Sequence, residues 1–395
     1  MSIEILKKIE REVIELRHAI HKEPELSGEE NETRKKIIRF FETFEIYEIK
    51  KGHAGSLIVD ITSSHNDSSA LVIGIRGDMD ALPINEERDD LSYQSQNKGV
   101  MHACGHDTHT AIAAGVAAYF NNKKDLNGAI RIIFQPSEEC EPLGGREVVK
   151  EGWIDNVDIM LGIHAYPSLP SGTVGIINNH VTASADTFSI IFSGQSAHGA
   201  FPHEGTDTIF IASAFIQLLQ GLVTRQTDAN ENSIVSIGVI SGGTAENIVC
   251  DRTEIKGTIR THSTQGRYRL QNKIKNLAND LAKSHGAKST FTLLEGEPAV
   301  FNDPKLLESF KKSTEKIIGK NKVKQLPPLM GSDDFGFYSQ KTKSLYFFYG
   351  THNLQYGHIH PLHTSKFGVA DQDMILGLKL IISAAEEFLN SQKKG

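Results

Sequence analysis

The sequence predicts an α/β protein: a mainly parallel sheet with helices on both faces, interrupted by an inserted, ferredoxin-like α+β domain. Three observations carry this. At 395 residues, 39% of them hydrophobic, the chain exceeds the usual size of one core and has the apolar residues to fill two. Helix and strand signals alternate through the N-terminal half, as in a parallel sheet covered by helices. Near residue 182 the order changes to β-α-β-β-α-β, the split βαβ arrangement. The principal domain is therefore expected over 1–181 and 296–395, and the insertion over 182–295.

Ile5, Leu6, Ile9, Val13 and Leu16 recur at helical spacing in a charged stretch, so 3–21 reads as a helix and not as a secretory leader. A second helix is expected over 29–44. The runs "GSLIVDI", "ALVIGIRGD" and "IRIIFQP" predict strands, with a helix "DTHTAIAAGVAAYF" between the last two, and "VDIMLGIHAYP" predicts another strand. In the insertion, "ADTFSIIFSG", "NSIVSIGVI", "IVCDRTEIKGTIRT" and "AKSTFTLLEG" read as strands, and 206–224 and 264–285 as helices. A helix, the stretch "MGSDDFGFY", a strand "SLYFFYG", a histidine-rich loop and a helix over 371–391 then complete the first sheet. The polar stretches "TSSHNDSSA" and "NNKKDLNG" read as surface loops.

The formal net charge of -7 leaves no dense basic face, which argues against nucleic acid or an anionic membrane as the main partner. No stretch reads as long and apolar enough to span a bilayer. Three scattered cysteines make no disulfide framework, and their odd number suits a reducing compartment, so a cytoplasmic protein is expected.

In open α/β sheets, ligands gather beyond the carboxyl ends of strands, where "RGDMDALP" and "QPSEEC" fall. The segment "VMHACGHDTHTA" sets Cys104 two residues from His106 at a helix start. Thiolate, imidazole and carboxylate are the donors that zinc and its neighbours take. Singly, Cys104 reads as a small buried hydrophobe, and His102, His106 and His109 as a hydrogen-bonded helix start. Together they are costly to desolvate unless a cation compensates. No Cys-x-x-Cys pair exists, which favours an open catalytic site over a structural one. The adjacent Glu138 and Glu139 follow a strand; in extended chain they point opposite ways, one to hold a metal, the other to accept a proton from water. His164 in "GIHAYP" and His363 in "PLHTSKF" fall in expected loops after strands. His352, His358 and His360 precede His363, and spacing alone does not choose among them.

Together "RHAIHKEPELSGEENET", "RGDMDALPI", "MHACGHDTHTA", "FQPSEE", "GIHA", "SGQSAHGAFPHEGTD" and "GTIRT" resemble the two-metal amidohydrolases of the aminoacylase and carboxypeptidase superfamily. The branch they resemble contains hippurate hydrolases, N-acetyldiaminopimelate deacetylases and plant auxin-conjugate hydrolases. The resemblance runs in order from about residue 11 to 368. It implies two divalent ions (zinc, manganese, cobalt or nickel) held by Cys104, His106, Glu139, His164 and His363, with Cys104 bridging. It implies Glu138 as the base that activates a metal-held water, Asp80 as the acid that orients a ligand or neighbour, and His198 as the histidine that helps stabilise the oxyanion, in its own subunit or, as often in this family, in the partner's. The insertion becomes a lid and the joint of a homodimer. The implied substrate is a small-molecule N-acyl amino acid or peptide-like amide. Arg260 is the candidate for its carboxylate and Asn247 for a further polar contact. Two departures stand out: "MGSDDF" where the family has "MGSEDF", and "HTSKFGVADQD" around His363, without the usual proline and acidic pair.

Three rivals follow: a dipeptidase or aminopeptidase of the same superfamily, a cysteine-nucleophile hydrolase using Cys104, and a metal-binding relative without turnover. The second leaves Glu138, Glu139, His164 and His363 idle.

Overall fold

The computed structural model describes residues 3–62, 70–123 and 126–391. Residues 63–69 of "TSSHNDSSA" and 124–125 of "NNKKDLNG" lie outside the described residues. The chain forms two compact units, one of Met1–Asn179, Phe301–Pro327 and Asp334–Gly395, the other of His180–Val300 and Pro328–Asp333.

The first unit opens with α1 (Ile3–Lys22), α2 (Asn31–Glu42), β1 (Ile49–Lys51), β2 (Leu57–Thr62) and β3 (Val72–Asp78). It continues with α3 (His106–Asn121), β4 (Ala129–Gln135), α4 (Gly144–Lys150), β5 (Ile159–Pro170) and β6 (Val174–Ile176). The second unit holds β7 (Ser184–Ser193), β8 (Ala197–His198), α5 (Thr208–Gln226), β9 (Ser233–Gly242), β10 (Ile248–Val249), β11 (Arg252–Thr261), α6 (Thr264–Ser284) and β12 (Lys288–Glu295). The chain then returns through α7 (Pro304–Ile318), β13 (Val323–Gln325), α8 (Gly336–Ser339), β14 (Lys343–His352) and α9 (Asp371–Ser391).

The first sheet runs β1-β2-β4-β3-β5-β14-β6-β13. Its centre, β4-β3-β5-β14, is parallel; β1 and β2 join antiparallel at one side, and β6 enters antiparallel to β14. Alternate residues serve opposite faces. Leu57, Val59, Ile130, Ile132, Leu161, Leu345 and Phe347 join one core with α1, α2, α3, α7 and α9. Their neighbours Ile58, Ile133, Met160 and Tyr346 are buried on the other face, where α4 and α8 pack. Helix α3 is buried on nearly every side: its alanine-rich body from Ala111 on packs in the core, and its first turn buries His106, Asp107, Thr108 and His109. A Cβ on its Gly115 would sit 2.7 Å from Val13 and 3.0 Å from Leu378, so α1 and α9 both press on it.

The second unit's main sheet runs β12-β7-β11-β9, every neighbour antiparallel, with α5 and α6 packed on it. Phe188, Ile190 and Phe192 of β7 meet Ile211, Phe215 and Leu219 of α5 and Ile274 of α6 in its core. Two expectations need correction. "IVCDRTEIKGTIRT" is two strands: the chain breaks at Cys250 and Asp251, whose carbonyls accept from Thr208 N and Gly194 N, and β10 pairs with β8 instead. Helix α5 is, contrary to expectation, long and apolar enough to cross a bilayer. Here its apolar length has another use: Ile211, Ala212, Phe215, Leu219 and Leu222 pack inward, while Ile209, Phe210 and Leu218 remain exposed.

Candidate metal centre

Cys104, His106, Glu139, His164 and His363 come from four separate places in the first unit and converge. The loop before α3 brings Cys104, and Gly105 turns it into the helix with φ +91. A Cβ at Gly105 would meet that of Ala165 at 3.1 Å, so only glycine makes this turn without strain. The donor atoms form three overlapping groups, each within 4.8 Å: Cys104, His106 and His164; Cys104, Glu139 and His363; and His106, Glu138 and Glu139. Cys104 Sγ lies 3.4 Å from His164 Nε2, and His363 Nε2 lies 3.2 Å from Glu139 Oε1.

The imidazole tautomers are set by backbone carbonyls. His106 Nδ1 donates to Asp80 O at 2.9 Å and His164 Nδ1 to Ala165 O at 2.7 Å, so that Nε2 is the nitrogen each ring turns into the cluster. His106 Nε2 and Glu139 Oε1 are buried without a hydrogen bond, which polar atoms in a finished core seldom are. Asp78 Oδ2 stands 3.5 Å and Glu138 Oε2 3.9 Å from that same Nε2. Burial works against a charged His106, yet Asp78 and Cys104 outweigh it and hold the ring well above the ordinary imidazole range. Burial likewise pushes the Cys104 thiol well up, against the pull of His106. Surroundings negative enough to keep a proton on a buried imidazole are the surroundings a divalent cation would take, releasing protons from imidazole and thiol. The donor set fits metal ions.

Two expectations about these residues are corrected. His164 lies inside β5, paired with Phe348 of β14, because β14 continues alongside it past the expected end of the strand. Glu138 and Glu139 do not sit in extended chain but in a bend that follows Ser137, whose φ is 51, so both carboxylates reach His106. His363 is itself left-handed, φ 59, and its N–H donates to Ala103 O, one residue from Cys104. His358 is buried against Arg88 instead, and neither His352 nor His360 joins a donor group.

Asp80 accepts from Ser27 Oγ at 2.7 Å and Glu139 N at 3.0 Å, and its Oδ1 lies 3.3 Å from His106 Nδ1. It touches two of the five donors' residues at once. His198, Asn247 and Arg260 belong to the second unit. His198 is exposed on β8, and its Nδ1 accepts from Ala200 N at 3.0 Å. Gly199 N donates to Asn247 O at 2.7 Å, while the Asn247 side chain is exposed. Arg260 is not a solvated strand end: its Nη1 donates to Met330 O at 3.1 Å and Ser332 Oγ at 3.3 Å.

Sequence reasoning read His109 only as part of a hydrogen-bonded helix start and did not single out its partner Asp78. Ala165 N donates to His109 Nε2, and His109 Nδ1 donates to Asp78 Oδ1 at 2.8 Å, a strut behind His164. Its signal was present as "GDMD", two acids at a strand's end, and a histidine one turn after His106.

Comparison with known proteins shows the family of the chain. The profile of peptidase family M20/M25/M40 matches residues 74–387. "Thermostable carboxypeptidase 2" of Saccharolobus solfataricus is 35% identical over 98% of this chain and 97% of its own. "N-acetylcysteine deacetylase" of Bacillus subtilis is 34% identical over 91% of this chain and 93% of its own. The crystal structure of a dinuclear metal binding peptidase from Bacillus subtilis superposes with a TM-score of 0.84 at 30% identity, covering 97% of this chain and 99% of that one.

Proposed function

The chain belongs to peptidase family M20/M25/M40, and from that premise we propose that it hydrolyses N-acyl amino acids. It is a metal-dependent amidohydrolase of carbon–nitrogen bonds and takes two divalent ions. The substrate class, the metal and the residue roles are the proposed part. The observation that carries the reading is the sharing of Cys104 between two donor groups, while Glu138 stands in neither of them.

Cys104, His106, Glu139, His164 and His363 would hold the ions; thiolate and imidazole suit zinc, and the carboxylate also admits manganese, cobalt or nickel. Bound there, divalent ions supply Lewis acidity that polarises an amide carbonyl and acidifies water. Glu138 takes the proton of the attacking water and returns it to the leaving nitrogen, one carboxylate serving both half-reactions. Asp80 orients His106 and Glu139, since it bonds the backbone of one and borders the ring of the other.

His198 is the donor to the developing oxyanion. Because Ala200 N donates to its Nδ1, Nε2 is the nitrogen left to donate a hydrogen bond. Such a donor is typically worth about 3 kcal/mol. The anchored Nη1 of Arg260 steadies the guanidinium, whose remaining N–H groups suit the carboxylate of an amino-acid leaving group; Asn247 adds a polar contact.

A homodimer joined through the second unit completes the reading. Among the described residues, edge strand β9 pairs only with β11; it carries exposed Val239 and Ile240, while α5 exposes Ile209, Phe210 and Leu218. Three free cysteines, with Cys140 exposed, favour the cytoplasm.

The test is a panel of N-acetyl and N-benzoyl amino acids beside dipeptides, with parent protein and Glu138→Gln. Expected are cleavage of the acyl amino acids, its loss on chelation and return with metal, and a kcat lowered by about 10²–10⁴ in the variant at unchanged metal content. Preference for dipeptides would favour a peptidase, and an unimpaired variant would remove Glu138 from the mechanism.

A further inference from the structure

No regular element holds Glu138: it lies in a bend three residues past the end of β4. The preceding Ser137 has φ 51, a left-handed conformation that a residue with a side chain keeps only when its surroundings impose it. The Ser137 carbonyl accepts from Gly144 N at 2.8 Å, and its amide is held by Glu30. This residue stands at the N-cap position of α2 yet makes no side-chain cap there; Glu25 takes the helix's first amides, Glu32 N at 3.0 Å and Thr33 N at 2.8 Å. The Glu30 carboxylate, fully buried, turns the other way. Its Oε1 accepts from Gly28 N and, 107 positions along the chain, from Ser137 N, both at 2.9 Å.

On the far side of Glu138, Glu139 N donates to Asp80, which Ser27 Oγ steadies. The amide before Glu138 and the amide after it are thus each held by a buried carboxylate, and both carboxylates are tied to the one loop between α1 and α2. A sequence that only needed a helix cap would not bury a glutamate at a cap position and leave the cap unmade.

We infer that Glu30 is a positioning residue for Glu138: its carboxylate holds the Ser137 amide and so maintains the left-handed turn from which the proton-transferring side chain projects. This rests on the reading of Glu138 as the base. Its consequence is specific: the hydrogen-bond acceptor matters, and the charge of Glu30 does not. Glutamine keeps a carbonyl oxygen able to accept from both amides. Alanine keeps nothing.

The test uses full-length, metal-loaded Glu30→Gln, Glu30→Ala and Glu30→Ala/Ser137→Gly. The alanine variant is expected to lose at least thirtyfold in kcat on an N-acetyl amino acid with KM within twofold and metal content unchanged, and the glutamine variant to stay within threefold of the parent. Glycine enters the left-handed region unaided, so the double variant is expected to regain at least fivefold in kcat over Glu30→Ala. Independently of turnover, exchange of the Ser137 amide hydrogen is expected to quicken at least tenfold in Glu30→Ala and to hold steady in Glu30→Gln. Equal loss in the glutamine and alanine variants, a loss confined to KM or metal content, absence of recovery with glycine, or unchanged Ser137 exchange would each overturn the inference. If the parent cleaves no acyl amino acid, the functional reading fails and the exchange measurement still decides the role of Glu30.

Discussion

Asp373 shows how a single side chain sets a pH dependence. On the first turn of α9 it accepts from Ser171 Oγ and Gly172 N, but its Oδ2 is buried without a partner, and burial outweighs those bonds to push its carboxyl up to about 6. An unfolded aspartate titrates near 3.9, so between roughly pH 4 and 6 the folded state binds the extra proton and stability falls as pH rises. Above pH 6 the deficit is constant, about 2–3 kcal/mol by the size of the shift. Asp373→Asn, compared with the parent by denaturant titration, is expected to match it near pH 4 and exceed it by about that amount at pH 8. At this scale the sequence speaks through residue type. Cys104, His106, Glu138 and Glu139 were legible because thiol, imidazole and paired carboxylates announce chemistry wherever they cluster. Glu30 and Ser27 were not, because they act on backbone amides, and a glutamate that holds an amide is spelled like one facing water.

At the scale of the element, the start of α3 carries the centre. Cys104 and His106 sit on either side of Gly105, and the next residue, Asp107, is gripped by Arg17 Nε at 2.7 Å and His21 Nδ1 at 2.9 Å from α1. Burial opposes its charge, but Arg17 and His21 hold the Asp107 carboxyl far below the usual range. Removing Arg17 strands a buried anion, which typically costs about 3–5 kcal/mol. Arg17→Leu is therefore expected to lower stability by that order in denaturant unfolding, and a change under 1 kcal/mol would mean the pair does not pin the helix. Long periodic elements such as α1, α9 and the central strands were readable from the sequence. The three-residue β1, β6 and β13 were not, since two or three residues carry no period. His164 was placed beyond its strand because only the length of β14 extends β5 so far.

At the scale of the whole molecule, the order β12-β7-β11-β9 follows from the β-α-β-β-α-β sequence of the second unit. The six residues Pro328–Asp333, which also belong to that unit, gave no sign of it in the sequence. They have neither periodicity nor length; His262 and Arg260 hold them through the carbonyls of Leu329 and Met330. If the exposed edge of β9 joins a second copy, Ile240→Glu places a charge in that joint. Light scattering is expected to show a dimer for the parent and a monomer for the variant, and a monomeric parent would dismiss the dimer.

The convergence of distant residues on two cations underlies all of these readings. Anomalous diffraction from crystals loaded with zinc or manganese tests it most directly. Two peaks are expected, one against Cys104, His106 and His164 and the other against Cys104, Glu139 and His363, with the Cys104 sulfur between them. A single peak, or peaks away from Cys104, would contradict the account.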